Sequence, residues 1–173
     1  MHIPEQTVIF PPNERRTGQA YAILTNLGTS CAQTIIAGPI MMLYATHVLG
    51  LSGAAVGAIL AVSSLTATLP FFLSSLARRM GKAKLLAWSF ILRIALSVPL
   101  FLLDRTTFSD PETLLWVFGG VMVAYSLAGS GIGSTVWQPL MRDITTPEDR
   151  GRFFARMRMY FYGAAMLFLA VTI

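Results

Sequence analysis

The chain has 173 residues, of which 54% are apolar and 12% charged, where a soluble globular domain carries roughly 25% charged residues. Residues 17 to 77 contain no Lys, Arg, Asp or Glu; such a stretch cannot coat a water-soluble globule, which excludes an ordinary soluble enzyme. The formal net charge of +5 comes from cations set between apolar runs, as membrane flanks are, so nucleic acid is not an expected partner.

Residues 1–19 read as a polar amino-terminal tail. Arg15 and Arg16 precede an apolar stretch, as the basic region of a signal peptide would, but apolarity then persists to Leu76. A signal core stops after roughly 7–15 residues, so a cleaved signal is not expected. Gly28-Thr29-Ser30-Cys31 approaches a lipoprotein cleavage box, but Gly28 stands where a Leu-like residue is wanted. The lone Cys31 permits no internal disulfide, and His2 and His47 are too few and too far apart for a metal centre. No cofactor is expected.

A helix needs about 20 residues to cross a ~30 Å hydrocarbon layer. The uncharged run therefore holds two spans, at roughly 20–46 and 53–76, joined by a turn near His47 to Gly53 whose Ser52 can cap the second helix. Further spans are expected at roughly 85–103 and 113–137, and a fifth, 157–173, is cut short at Ile173. The fold class is thus all-α, a polytopic transmembrane helical bundle of about five spans. An ending inside a helix is what a fragment would show, with further spans as missing partners.

Orientation follows from the cations. Arg15 and Arg16, then Arg78, Arg79, Lys82 and Lys84, then Arg142, Arg150, Arg152, Arg156 and Arg158 fall on one side of an alternating path. Arg105 stands alone on the other, beside Asp104, Asp110 and Glu112. The positive-inside rule puts the amino terminus in the cytoplasm, in a cell membrane.

Within the spans, Gly53, Gly57 and Ala61 in the second, and Gly129 with Gly133 in the fourth, recur every four residues and are expected to let helices pack closely. Two spans carry polar rows: Asn26, Thr29, Ser30 and Gln33 in the first, and Ser126, Ser130, Ser134 and Gln138 in the fourth. Such rows face other helices or a wet cavity, or bond their own helix backbone. Arg93 is the only ionisable side chain well inside a span. A charge there costs at least ~2.5 kcal/mol on insertion scales, so it needs an acidic or dipolar partner from residues beyond this chain, or must snorkel to the cytoplasmic face. Pro39, Pro70 and Pro99 can bend their helices but serve passive and moving bundles alike.

Two enzyme readings fail on their context. Gly129-Ser130-Gly131-Ile132-Gly133 lacks the preceding strand a dinucleotide site requires. Its Ser130-Gly131 also lacks the first Gly of an intramembrane serine-protease signature, with His47 the only nearby base.

Ser74-Ser75-Leu76-Ala77-Arg78-Arg79-Met80-Gly81-Lys82-Ala83-Lys84 resembles the G-x-L-A-D-R-x-G-R-R signature between the second and third spans of the major facilitator superfamily. Leu76, Ala77, Arg79, Gly81 and Lys82 match; Ser74 replaces the first Gly, and Arg78 replaces the Asp that in the family helps latch the cytoplasmic gate. Asp143-Ile144-Thr145-Thr146-Pro147-Glu148-Asp149-Arg150-Gly151-Arg152 is similar to the family's P-x-x-R-G loop on the same membrane face. A plain interfacial helix held by anionic lipid is the other reading of that segment.

The resemblance covers nearly all of the chain, as the first five of the twelve spans usual in the family. It implies a secondary transporter that moves a small-molecule solute by alternating access, with a coupling ion as an open question and membrane lipid as surroundings. It implies no catalytic residues. The first and fourth spans face the cavity in the family, which makes Asn26, Gln33, Ser126 and Ser130 lining candidates. Its third span is usually peripheral, which counts against Arg93. Arg78, Arg79, Gly81 and Lys82, with Asp143, Pro147, Arg150 and Gly151, are the gating-motif candidates. A non-transporting helical module that only packs against partner helices is the alternative.

Overall fold

The structure is a computed structural model that describes residues 11–104, 106, 108 and 110–172. Arg105, counted above for orientation, and His2 lie outside the described residues. All regular structure among the described residues is helical, as a chain crossing lipid requires, because helices satisfy their backbone polar groups internally. Three stretches are long and apolar enough to cross a membrane: Pro12–Val48, Lys82–Leu102 and Pro111–Asp143. The pair Gly53–Thr68 and Pro70–Met80, bent by 54°, makes a fourth when taken as one span.

The chain divides into two compact units, residues 36–138 and residues 1–35 with 139–173. In the first, α2 (Pro39–Leu43) runs into a π-helical turn, Tyr44–Val48, followed by α3 (Gly53–Leu65). Ser52 caps α3, its Oγ accepting from the Ala55 N–H at 3.2 Å. A 3₁₀ turn, Thr66–Thr68, then leads to α4 (Pro70–Met80). The bend has a local cause: Pro70 offers no N–H and its ring crowds the carbonyl four residues back, that of Thr66. That carbonyl instead accepts from the Leu69 N–H at 3.2 Å.

Gly81 joins α4 to α5 (Lys82–Leu102) with φ +84°, a conformation that side chains disfavour. This lets two helices meet with a single residue between them. Asp110 caps α6 (Pro111–Ser126) by accepting from the backbone N–H of Glu112 and of Thr113, at 3.3 and 2.9 Å. A π-helical segment, Leu127–Gly133, continues α6 into α7 (Ser134–Asp143), which begins in this unit. The packing seam runs between α5 and α6 with its π-helical extension, and α3 packs on α6. Leu85, Ser89, Arg93 and Leu100 of α5 are buried, as are Leu114, Phe118, Met122, Tyr125, Ala128 and Val136 opposite. Both sets follow helical spacing, so each helix buries one stripe.

The expected close packing of the second span is not observed. A Cβ added at Gly53 or Gly57 would meet nothing within 4 Å, and Ala61 is exposed. Helix α3 instead buries Val56 and Ser63, and its Ile59 fills the groove at Gly119 of α6, where an added Cβ would lie 3.3 Å from the Ile59 side chain.

In the second unit, α1 (Pro12–Ile36) and α8 (Pro147–Thr172) are the long elements. Helix α1 starts at Pro12, before the expected end of the polar tail at residue 19. Helix α8 is 26 residues long, but Arg150, Arg152, Arg156 and Arg158 occupy its first half, and it is not among the stretches apolar enough to cross. Ala22, Met141, Ile144, Phe153 and Met157 form this unit's buried core.

Large apolar side chains stand outward in both units: Phe71 is 84% exposed, Trp116 73% and Leu167 72%. A water-soluble surface does not carry such density of exposed aromatic and aliphatic groups, whereas lipid solvates it.

Candidate functional site

The fourth span presents a polar line on one side. Ser130, Ser134 and Gln138, four residues apart, are exposed, and Ser126 is half-buried. Ser134 donates its hydroxyl to the Ser130 carbonyl, and Thr135 donates to the Gly131 carbonyl at 2.7 Å. Both are the back-bond of a Ser or Thr hydroxyl to the carbonyl four residues earlier, which Thr29 and Thr145 also make elsewhere in the chain.

The opposite side of this span is polar at one buried level. Ser89 of α5 donates its hydroxyl to the Ala128 carbonyl at 2.6 Å. One turn further along α5, the Arg93 Nη2 donates to the Tyr125 hydroxyl at 2.8 Å, and the guanidinium carbon lies 4.8 Å from the centroid of the same ring. Tyr125 thus supplies both an oxygen acceptor and a cation-attracting face. Arg93 retains only 9% of its surface, and its buried Nε–H has no acceptor. The guanidinium therefore turns in against the fourth span instead of snorkelling to the cytoplasmic face, and its partner comes from within the chain.

The glycines of the fourth span make this possible. A Cβ at Gly129 would lie 3.3 Å from Arg93 Nε and 3.4 Å from its Cζ, and one at Gly133 only 2.9 Å from Ser89 Oγ. The Gly129 and Gly133 pair is thus a close-packing surface, and what it admits is polar side chains. The sequence alone missed Tyr125 and Ser89. The available signal was spacing: Ser89 and Arg93, and likewise Tyr125, Gly129 and Gly133, recur at four residues and so share a helix face.

In the first span the polar row divides. Asn26 Nδ2 donates to the Met157 carbonyl at 3.4 Å and Ser30 Oγ to the Phe161 carbonyl at 2.7 Å, both on α8. Thr29 bonds its own helix at the Thr25 carbonyl. Gln33 is exposed.

Arg78 and Arg79 occupy the exposed last turn of α4, where cations suit the negative end of a helix. Lys82 opens α5 just after Gly81. At the other motif, Asp143 ends α7 and Pro147 is the first residue of α8. The Thr146 hydroxyl accepts from the Asp149 N–H at 3.3 Å and lies 3.3 Å from Asp149 Oδ2, a capping arrangement at this helix start. Glu148 is held below the usual carboxyl range by its own backbone N–H first and by the Thr146 hydroxyl next. Arg150 Nε donates to the buried Thr145 hydroxyl at 3.4 Å, and Gly151 is exposed in the following turn. Among the described residues no group of three or more His, Cys, Asp or Glu side chains gathers to hold a metal ion.

The family model of the Major Facilitator Superfamily matches residues 8–172. Neither curated proteins nor solved structures yield a match. With helices apolar enough to span a bilayer, outward-facing lipid-soluble surfaces and a family match over nearly its whole length, the chain belongs to the major facilitator superfamily of membrane transporters and is a multi-pass membrane protein.

Proposed function

We propose that this chain takes part in moving a small solute across the cell membrane by alternating access, with its amino terminus in the cytoplasm. The observation that carries the reading is the exposed line Ser130, Ser134 and Gln138 on a span that is otherwise apolar outside, with Trp116 and Leu127 exposed elsewhere on it. Lipid offers no hydrogen bonds, so a polar face at that depth belongs against water or solute. Ser126 and Ser130 of the fourth span and, in the other unit, the exposed Gln33 of the first are the proposed solute-lining residues. Asn26, proposed with them, lies seven residues before Gln33 on the first span, and its amide nitrogen is engaged with α8.

The loop of Arg78, Arg79, Gly81 and Lys82 and the segment of Asp143, Pro147, Arg150 and Gly151 are proposed as cytoplasmic gating elements. Arg78, in place of the family's acid, reverses the charge at the first. The family match does not favour a module that only packs against partners.

Cys31 is the only cysteine, so Cys31→Ser gives a cysteine-free background in one step. In that background Ser130→Cys is expected to react with a membrane-impermeant cationic thiosulfonate, while Leu127→Cys and Trp116→Cys stay unreactive. Equal labelling at Ser130 and Leu127 would sink the water-lined face. Uptake of a panel of labelled solutes into proteoliposomes then identifies what moves.

A further inference from the structure

The arginines of α8 divide by direction. Arg150 turns inward, its Nε donating to the buried Thr145 hydroxyl, and belongs with the loop motif. Arg152, Arg156 and Arg158 are exposed, and among the described residues none of the three takes part in a hydrogen bond or ion pair. The nearest acids are engaged elsewhere: Glu148, one turn before Arg152, is held by its own backbone N–H and the Thr146 hydroxyl, and Asp149 accepts from the same hydroxyl at 3.3 Å. From Arg150 to Ile173 the sequence holds no acid.

Packing fixes which way these cations face. Phe153 and Met157 are buried, and Asn26 and Ser30 of α1 donate to the Met157 and Phe161 carbonyls, so α8 cannot rotate about its axis without losing these contacts. Arg152, Arg156 and Tyr160 then follow one another at four residues along an exposed line, with neighbouring Cβ atoms about 6 Å apart. Met159 and Met166, both exposed, continue that face. Two guanidiniums, a tyrosine and then apolar groups are met in the order in which a helix passes from water through lipid headgroups into hydrocarbon.

We propose that Arg152 and Arg156 together bind the phosphate of an anionic phospholipid whose acyl chains lie along Met159 and Met166. A guanidinium presents a planar fork of donors that suits phosphate oxygens, and two of them one turn apart can hold one phosphate between them. The choline of a zwitterionic lipid would bring a third cation to the pair, which is why the site selects net negative charge. The apolar stripe below the arginines selects a lipid over free phosphate. The proposal needs only that the chain lies in a membrane, and stands apart from solute transport and its direction.

The measurement is native mass spectrometry of the full chain released from dodecyl maltoside micelles and titrated with phosphatidylglycerol. Phosphatidylcholine is the comparison lipid, and glycerophosphoglycerol is the same headgroup without acyl chains. Saturable binding of one phosphatidylglycerol is expected, about tenfold or more tighter than phosphatidylcholine and not displaced by glycerophosphoglycerol. Arg152→Gln and Arg156→Gln should each weaken binding about tenfold, the share of one charge-assisted hydrogen bond. Arg158→Gln removes the same charge about a third of a turn off the line and should leave affinity within about twofold, as a solvated cation does.

Equal affinity for the two lipids overturns the proposal, and needs only the unmodified protein if a variant fails to fold. Equal losses at Arg152, Arg156 and Arg158 show diffuse attraction and overturn a paired site. Displacement by glycerophosphoglycerol at matched concentration assigns the arginines to a soluble phosphate and overturns the lipid. None of these outcomes touches the cysteine labelling of Ser130, which decides the water-lined face by itself.

Discussion

Arg93 and Tyr125 hold each other twice, through a 2.8 Å hydrogen bond from Nη2 to the hydroxyl and through the guanidinium set 4.8 Å from the ring centroid. Both side chains are buried in the seam between α5 and α6, so neither contact is diluted by water. Removing one partner leaves the other charge or ring without compensation, which is why the pair should behave as a unit.

A double-mutant cycle measures that unit. Tyr125→Phe keeps the ring and removes the acceptor, while Arg93→Met removes the charge. We expect a coupling of about 1–3 kcal/mol in denaturant unfolding from detergent micelles. Additive effects within about 0.5 kcal/mol would show that the two residues do not act together.

Close packing at the fourth span predicts an unusual rescue. Gly133→Ala places a methyl 2.9 Å from Ser89 Oγ and should destabilise by about 1–3 kcal/mol, as overpacking does. Ser89→Ala removes the clashing oxygen, and the double variant should recover part of the loss. By contrast, Gly57→Ala meets nothing within 4 Å and should leave stability unchanged or slightly raised, because Ala is the better helix former.

The cap of α6 predicts a pH dependence. Asp110 is held below the usual carboxyl range, chiefly by the Thr113 hydroxyl, then by the backbone N–H groups of Thr113 and Glu112. Its folded value lies below its unfolded one, so the cap's contribution is complete above the unfolded carboxyl range and fades as pH falls through the folded value. Asp110→Asn, which caps without charge, should flatten the acid side of a melting-temperature profile around the carboxylate range. An unchanged profile would remove Asp110 from the acid response.

Sidedness predicts opposite labelling. With the positive-inside arrangement, Lys82→Cys and Asp110→Cys in the Cys31→Ser background flank one span and lie in different compartments. In intact cells an impermeant thiol reagent should modify Asp110→Cys and spare Lys82→Cys. Modification of both from outside would overturn the proposed orientation.

Much of this protein is written in local chemistry that needs no partner to be read. The uncharged run from Thr17 to Ala77, the cations gathered on alternate connections and the capacity of Pro70 to bend its helix all follow from solvation and backbone sterics. The resemblance of two loop motifs at helix ends suggests the family, and the family model matches residues 8–172. The small-residue rows were readable only as a rule: Gly53, Gly57 and Ala61 obey the spacing without packing in this structure, while Gly129 and Gly133 obey it and pack.

What tertiary structure alone decided is which face meets which. The charge at Arg93 could be counted in the sequence, but not its answer in Tyr125, 32 residues away, because that pairing depends on the rotation and depth at which α5 meets α6. Likewise the polar row of the first span divides between α8 carbonyls for Asn26 and Ser30 and an exposed Gln33. Periodicity places side chains on a helix surface; only packing between helices determines whether a given surface finds a backbone carbonyl, a ring or open space.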